Sequence, residues 1–299
     1  MTEKNLPHKA KWWTGKSTGS SVLCRLCPRS CIIRNNKTGF CGIRKNIDGT
    51  LYTMAYGYPV GLQIDPIEKK PLYHFLPGTA TFSLGTYGCN LNCSFCQNYH
   101  LSRGSYSTTV GEKFYSPQEI AELALRYNCR SVAFTYNEPL IWPEYMTDIA
   151  QAAKKLGLSA VLVSNAYIQS EAAEEILPHI DAANFDMKGF SEDFYKTMTG
   201  GDLKPVLDTI RYFYSTGRHL ELTNLVIPGK NDSEKMITDY LNWVKSNLST
   251  EVPLHFSAFH PDYLLQDIPN TPVETLKKIK KQATAMGFTN VHLGNVRLI

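Results

Sequence analysis

The sequence predicts an α/β protein: a partial (β/α)6 TIM-like barrel over residues 81–299, preceded by a Cys-rich metal-binding module and linker over residues 1–80. Three observations predict it. From residue 81 on, short β-branched and aromatic runs alternate with helical patterns, which implies a parallel sheet with right-handed crossovers. Polar and ionisable residues recur just past the C-terminal end of nearly every predicted strand, where such folds bind ligands. Seven of the eight cysteines fall in two tight groups, a spacing that favours metal over disulfides in a chain of this length. An open doubly wound sheet is the alternative topology.

The totals set wide bounds. A chain of 299 residues fills one large barrel or two smaller domains. With 43% hydrophobic and 19% charged residues the composition is that of a globular protein. The net charge of +4 reads as mild and spread out, and calls for neither a nucleic acid nor a membrane surface. No apolar run is long enough for a transmembrane helix, and the first 19 residues lack the apolar core of a signal peptide. The protein is therefore expected to be cytoplasmic.

Residues 1–20 read as a loose lead-in whose Trp12 and Trp13 pack on a neighbour. Cys24, Cys27, Cys31 and Cys41 follow in the pattern C-x2-C-x3-C-x9-C. Residues 21–50 are too few to bury a core of their own, so a metal is the natural staple. Four thiolates make a closed site, and both structural zinc and an auxiliary iron–sulfur cluster suit it. Asp48-Gly49 reads as a hairpin turn. Residues 51–80, rich in Pro, Gly and Tyr, read as an ordered linker wrapped onto the main domain. Their Asp65, Glu68, Lys69, Lys70 and His74 either line a site or stay solvated.

Strands are expected at Thr81–Thr86, Ser131–Tyr136, Leu158–Val163, Asp181–Asp186, His219–Val226 and Val252–Ala258, with a last one at Asn290–Gly294 on one edge. Ser116-Pro117 with Glu119 opens a helix as a capping box, and Thr271-Pro272 with Glu274 opens the last one, which ends near Gly287. Gly157 and Gly217 sit where helices stop. Cys129 stands alone and reads as a buried apolar thiol.

The first strand runs into Cys89, Cys93 and Cys96, spaced C-x3-C-x2-C. Three thiolates are one short of a full iron–sulfur or zinc ligand set, so a coordination position stays open for chemistry. The later strands end in Thr135-Tyr136-Asn137-Glu138-Pro139, Ser164-Asn165-Ala166, Asp186-Met187-Lys188-Gly189, a fifth strand carrying Glu221, Thr223 and Asn224 that leads to Asn231, and Phe259-His260-Pro261.

These residues carry a family resemblance. The cysteine loop, with Phe95 before its last Cys, resembles the cluster loop of radical S-adenosylmethionine (SAM) enzymes. Tyr136-Asn137-Glu138-Pro139 resembles that superfamily's second-strand motif, which usually begins with two glycines. Asp186-Met187-Lys188 and Val226 to Asp232 are similar to segments of glycyl-radical-enzyme activases such as pyruvate formate-lyase activating enzyme. The match runs from about residue 80 to 262. With its cysteine module and IDPIEKKPLYHFLPGT segment, the whole chain most resembles the activase-like branch called AmmeMemoRadiSam.

The resemblance implies that Cys89, Cys93 and Cys96 hold a [4Fe-4S] cluster whose fourth iron is chelated by the amino and carboxylate groups of SAM. Reductive cleavage then gives a 5′-deoxyadenosyl radical that abstracts hydrogen from a protein or a small molecule. It further implies that Glu138 and Asn137 hold the methionyl ammonium, Lys188 the carboxylate with Asp186 orienting it, and Ser164 and Asn165 the methionine or ribose part. Phe95, Ile227 and His260 would border adenine. The implied partner is a flavodoxin- or ferredoxin-like electron donor, with no membrane and no nucleic acid indicated. Two departures weaken a glycyl-radical-enzyme substrate: Tyr136-Asn137 stands for the paired glycines, and no ferredoxin-like cysteine insertion lies between residues 96 and 135. Two rival functions are a zinc hydrolase, which calls for His and Asp ligands at strand ends, and a cysteine-rich binding module on a scaffold barrel, which leaves Glu138 and Lys188 unexplained.

Overall fold

The structure is a computed structural model that describes residues 7–15, 20–106 and 113–296. Residues 1–6 and 16–19 of the lead-in, where the absence of a signal peptide was inferred, lie outside the described residues.

Two small antiparallel sheets build the N-terminal module. The strands are His8–Lys9 (β1), Trp13–Gly15 (β2), Val22–Cys24 (β3), Ile32–Ile33 (β4), Arg44–Ile47 (β5) and Thr50–Thr53 (β6), in the orders β1-β6-β5 and β2-β3-β4. Asp48 and Gly49 turn β5 into β6 as expected, both with positive φ (49° and 80°), which suits the twist of a two-residue hairpin.

The main sheet has eight strands: Val60–Pro66 (β7), Ala80–Gly85 (β8), Ser131–Phe134 (β9), Ser159–Ser164 (β10), Ala182–Asp186 (β11), His219–Val226 (β12), Leu254–Ala258 (β13) and Val291–Gly294 (β14). They lie in simple sequence order from β7 to β14, so the two end strands do not pair and the barrel is partial. β8 to β14 are parallel and β7 is antiparallel to β8. The helices are Tyr99–Ser102 (α1), Pro117–Arg126 (α2), Pro143–Lys155 (α3), Ser170–Ile176 (α4), Glu192–Phe194 (α5), Leu203–Ser215 (α6), Glu234–Asn247 (α7) and Val273–Ala285 (α8). α2, α3, α4, α6, α7 and α8 follow β8 to β13, the six βα units read from the sequence.

Two local features depart from expectation. The sheet begins upstream of the 80/81 boundary, because β7 comes out of the segment read as linker. Val60, Leu62 and Ile64 alternate in sequence, but the register shifts between Val60 and Gln63, so Ile64 is 49% exposed and Asp65 is buried, paired with Lys69 and Lys70 at 2.8 and 2.7 Å. Ser116 and Glu119 do form the capping box of α2, but Thr271 caps nothing. It is buried, donates to the Val226 carbonyl at 2.5 Å and accepts from Phe259 N–H at 2.9 Å, and α8 starts after Pro272.

Residues 67–75 cross beneath the barrel from the β7 edge to the β14 edge. Ile67 and Leu72 pack on Ala133, Val161 and Ala182, and the Pro71 carbonyl accepts from Asn184 at 2.7 Å. His74 N–H then donates to Glu221 at 2.8 Å, and its ring nitrogen lies 2.8 Å from that of His292 on β14. The floor of the cavity is therefore closed by this segment, and ligands are left the C-terminal side of the strands. Cys129 is buried as an isolated thiol.

The module docks on the barrel through charge and close contact. Arg44 and Glu144 of α3 form an ion pair at 3.1 Å with side chains 2% and 1% exposed. At Gly88 (φ +89°) a Cβ would lie 2.1 Å from the Cys41 carbonyl, so this position needs glycine for conformation and for space. Among the described residues no helix is long and apolar enough to cross a membrane.

Candidate functional site

A cavity of about 450 Å³ opens at the C-terminal ends of the strands, and Cys89, Cys93 and Cys96 share it with Glu138, Asn165, Asp186 and Lys188. The cysteine loop is held on both sides. Asn92 N–H donates to the Thr199 carbonyl at 2.7 Å and Ser94 N–H to Met198 at 3.0 Å, both in the π-helical turn Tyr195–Thr199. Arg103 donates to the Leu91 carbonyl. Asn137 uses all its polar reach here: Oδ1 accepts from Thr86 N–H at 3.0 Å, and Nδ2 donates to Thr86 Oγ1, Tyr87 O and Gly88 O at 2.9–3.2 Å. It lines the cavity but grips the approach to Cys89.

Glu138 is buried and joins two strand ends. Oε1 accepts from Leu140 N–H at 2.8 Å and Ser164 Oγ at 2.7 Å, and Oε2 from Asn165 N–H at 2.8 Å. A carboxylate has about four acceptor positions, so one on Oε2 is left for a ligand cation. Burial pushes its pKa up to about 7 against the three hydrogen bonds. Lys188 holds Asp186 at 2.7 Å. Burial alone would lower the Lys188 pKa, but Asp186 and the Cys93 and Cys96 sulfurs outweigh it and raise it. Burial raises the Cys89 thiol, and takes Cys93 to about 11. Metal binding must therefore drive off their protons.

The other expected residues divide. Phe95 is on the cavity wall; Ser164 stands behind it, accepting from Ala166 N–H and donating to Glu138. Asn165 directs Nδ2 at Asn90 Oδ1 (3.0 Å) and Cys89 Sγ (3.8 Å). Ile227 is fully buried and not among the lining residues, and exposed His260 meets Gln97 at 3.1 Å rather than lining the cavity itself. Of the linker residues, Lys69 and Lys70 do line it. Asp65 binds both lysines and the Tyr136 hydroxyl (2.8 Å), and these bonds hold its pKa well down against burial. Tyr136, at φ 71°, keeps the left-handed backbone that glycine would supply. Thr223 lines the cavity with a buried, unpartnered Oγ1, whereas Glu221 is lower in the barrel on His219 and His255. Nothing in the local sequence marks Gln97, Asn98, Ser257 and Asn295, which reach the wall from different elements.

Cys24, Cys27, Cys31 and Cys41 surround a separate void of about 10 Å³, about the room of one small atom or ion. All eight thiols are free. Among the described residues no group of three or more His, Cys, Asp or Glu side chains is arranged to hold a metal ion as it stands, so fit is judged on donor chemistry. In the barrel, three thiols facing one cavity suit a cluster with an open iron; Glu138 and Lys188 beside them suit the two charged ends of an amino acid.

Comparison with known proteins agrees with this site. Residues 83–241, more than half the chain, match the Radical SAM superfamily. The chain is 42% identical over 281 residues to the uncharacterized protein MJ0808 of Methanocaldococcus jannaschii, covering 94% of this chain and 83% of that protein. It is 28% identical over 210 residues to the pyruvate formate-lyase-activating enzyme of Clostridium pasteurianum, covering 65% and 86%. Among solved structures, a radical SAM methyltransferase from Sphaerobacter thermophilus superposes with a TM-score of 0.57 at 13% identity, over 74% of this chain and 68% of that one, a likeness of fold. A three-cysteine loop on the first parallel strand, charged groups at the next strand ends and the match across both place this chain in the radical SAM superfamily, as an enzyme built for a [4Fe-4S] cluster and S-adenosylmethionine.

Proposed function

We propose that this enzyme binds SAM through Glu138 and Lys188 beside the Cys89–Cys96 cluster loop and directs the resulting radical at a C–H bond of a protein substrate. The observation that carries the reading is the convergence of three thiols, a buried carboxylate and a paired lysine on one cavity. Relatedness to activating enzymes supports a protein substrate; a small-molecule substrate is the second reading, supported by the departures from the activase motifs. When bound, the cluster and SAM supply one-electron cleavage of a C–S bond. The chain does the rest. Lys188 neutralises the ligand carboxylate, with Asp186 holding its ammonium in place. Glu138 accepts an N–H of the ligand amino group on its remaining Oε2 position. Asn137, Ser164 and Asn165 position these groups, and Phe95 covers the cluster side. The floor segment and barrel walls exclude water from the reacting centre. Formation of 5′-deoxyadenosine by anaerobically reconstituted protein with dithionite tests this directly, and its absence overturns it.

The Glu138 assignment predicts a pH dependence. Its folded pKa lies above the ordinary 4.5, so its ionisation destabilises the fold progressively as pH rises from about 4.5 through about 7. The ligand amino group donates to the ionised form, so SAM affinity rises by up to about tenfold per pH unit below about 7 and levels off above it. Calorimetric titration between pH 6 and 8 checks this, and Glu138→Gln flattens the profile while weakening binding.

For the module we propose one tetrathiolate-bound ion, structural zinc, because four thiols in so short a segment make a closed ligand set. Burial raises the Cys27 and Cys41 thiols, Cys41 to about 11, so an uncharged empty site gains from a cation. Cys24→Ala then loses one equivalent of zinc and lowers the thermal midpoint while the barrel keeps its own iron. Unchanged metal content and melting in that variant refute the assignment.

A further inference from the structure

The positive charge of the chain is concentrated on the cysteine module. Residues 21–50 carry six basic side chains and one acid, a net +5 against +4 for the whole chain. Arg44 is buried against Glu144, but Arg25, Arg34 and Lys37 of the same module are exposed, and so are its Ile32 and Phe40, at 60% and 44%. A basic surface that also exposes large apolar residues is a protein-docking composition. What lies beneath it is specific. The Phe40 ring carries the Arg29 guanidinium 3.7 Å from its centroid. Arg29 Nε donates at 2.8 Å to the carbonyl of Asn90, the residue after Cys89. The Cys41 carbonyl lies against Gly88, the residue before Cys89. Two non-covalent contacts therefore join a solvent-exposed aromatic ring to the peptide carrying the first cluster cysteine. Arg29 also keeps a buried Nη2 without a hydrogen-bond partner.

We propose that the exposed surface of this module, which carries Phe40, Arg25, Arg34 and Lys37, is where an acidic electron-carrier protein docks to reduce the barrel cluster. The proposal rests on the radical SAM reading and adds to it the place and chemistry of the partner. One electron leaves the donor, a flavin hydroquinone becoming a semiquinone or a reduced iron–sulfur centre its oxidised form. It enters the cluster held by the Cys89 loop, taking it from the 2+ to the 1+ state with no bond made or broken. The module's own metal keeps the docking face in shape and need not change oxidation state.

The test compares two reductants and one binding measurement on the full-length reconstituted protein. The triple variant Arg25→Glu/Arg34→Glu/Lys37→Glu alters exposed side chains only. The control Lys235→Glu/Lys277→Glu/Lys278→Glu makes the same charge change on α7 and α8, where the side chains are 85%, 56% and 72% exposed. With dithionite, all three proteins form 5′-deoxyadenosine at equal rates. With an acidic flavodoxin and its reductase at low salt, the module variant is slower by about tenfold or more and the control is not. Flavodoxin binding to immobilised protein weakens in parallel, and wild-type binding weakens as salt is raised. Equal flavodoxin-driven rates in wild type and module variant, or an equal loss in the control, overturn the proposal. So does an RNA stem that binds this face where flavodoxin does not, which would assign the patch to a nucleic acid. If dithionite yields no 5′-deoxyadenosine even in wild type, the radical reading fails, and the flavodoxin-binding comparison still decides the docking face.

Discussion

Cys93→Ala, reconstituted anaerobically with iron and sulfide, should lose the visible absorbance of the barrel cluster and form no 5′-deoxyadenosine with dithionite and SAM. Cys89, Cys93 and Cys96 are the only cysteines on the cavity wall, so no neighbouring thiol can replace the missing ligand. The loss is of function and not of fold. The loop is tied by backbone hydrogen bonds from Asn92 and Ser94 to the Tyr195–Thr199 turn, and neither bond involves the Cys93 side chain. Thermal melting should thus stay within a few degrees of the parent protein, while the bound iron is lost. Persistent 5′-deoxyadenosine formation in this variant would refute the assignment of the cluster loop.

Arg44→Ala should cost about 3–5 kcal/mol of stability, the range for stranding one member of a buried ion pair. Arg44 is 1% exposed, reaches Glu144 through both terminal nitrogens and donates to the Lys11 carbonyl. Removing it leaves Glu144 charged inside the junction between module and barrel. Among the described residues, Lys11 N–H, at 2.7 Å, would be the donor left to that carboxylate. The double variant Arg44→Met/Glu144→Leu removes both charges and should recover most of the loss. Denaturant titration of the two single variants and the double variant measures the coupling. A double variant as unstable as the sum of the singles would show that the pair does not act as a unit. Arg44 also lowers the burial-raised pKa of the Cys24 and Cys41 thiols, so the single variant should bind the module's metal less tightly too.

Much of this was legible because it rests on periodicity and spacing. β12 occupies His219–Val226, the span expected from its apolar run, and the hairpin at Asp48-Gly49 and the capping box at Ser116 form where local chemistry demands them. Ligand spacing on one loop is likewise a local property, so Cys89, Cys93 and Cys96 could be picked out before any fold was known. β7 stayed hidden in a segment rich in Pro, Gly and Tyr although Val60, Leu62 and Ile64 alternate, and its buried Asp65 depends on Lys70, a partner that no strand pattern records. Thr271 looked like a helix cap because Thr-Pro-x-Glu is a local cap signal; burial against Val226 and Phe259 took its hydroxyl instead.

The site roles show the same division. Residue types at strand ends marked Glu138 and Lys188 as candidate site groups, and the family resemblance implied that they hold one ligand. Only the folded chain decided that Asn137 is consumed in gripping Thr86, Tyr87 and Gly88, that Ile227 is in the core, and that Lys69 and Lys70 reach the cavity from a segment beneath it. The net charge, mild when summed over the chain, is +5 on residues 21–50, which the fold sets against the cluster loop at Gly88. Sequence by itself determined the fold class, the two cysteine sets and the order of the strand-end motifs, since backbone periodicity and ligand spacing act over a few residues. Tertiary structure alone decided which polar groups remain free for a ligand, because that depends on hydrogen-bond partners brought together from distant parts of the chain.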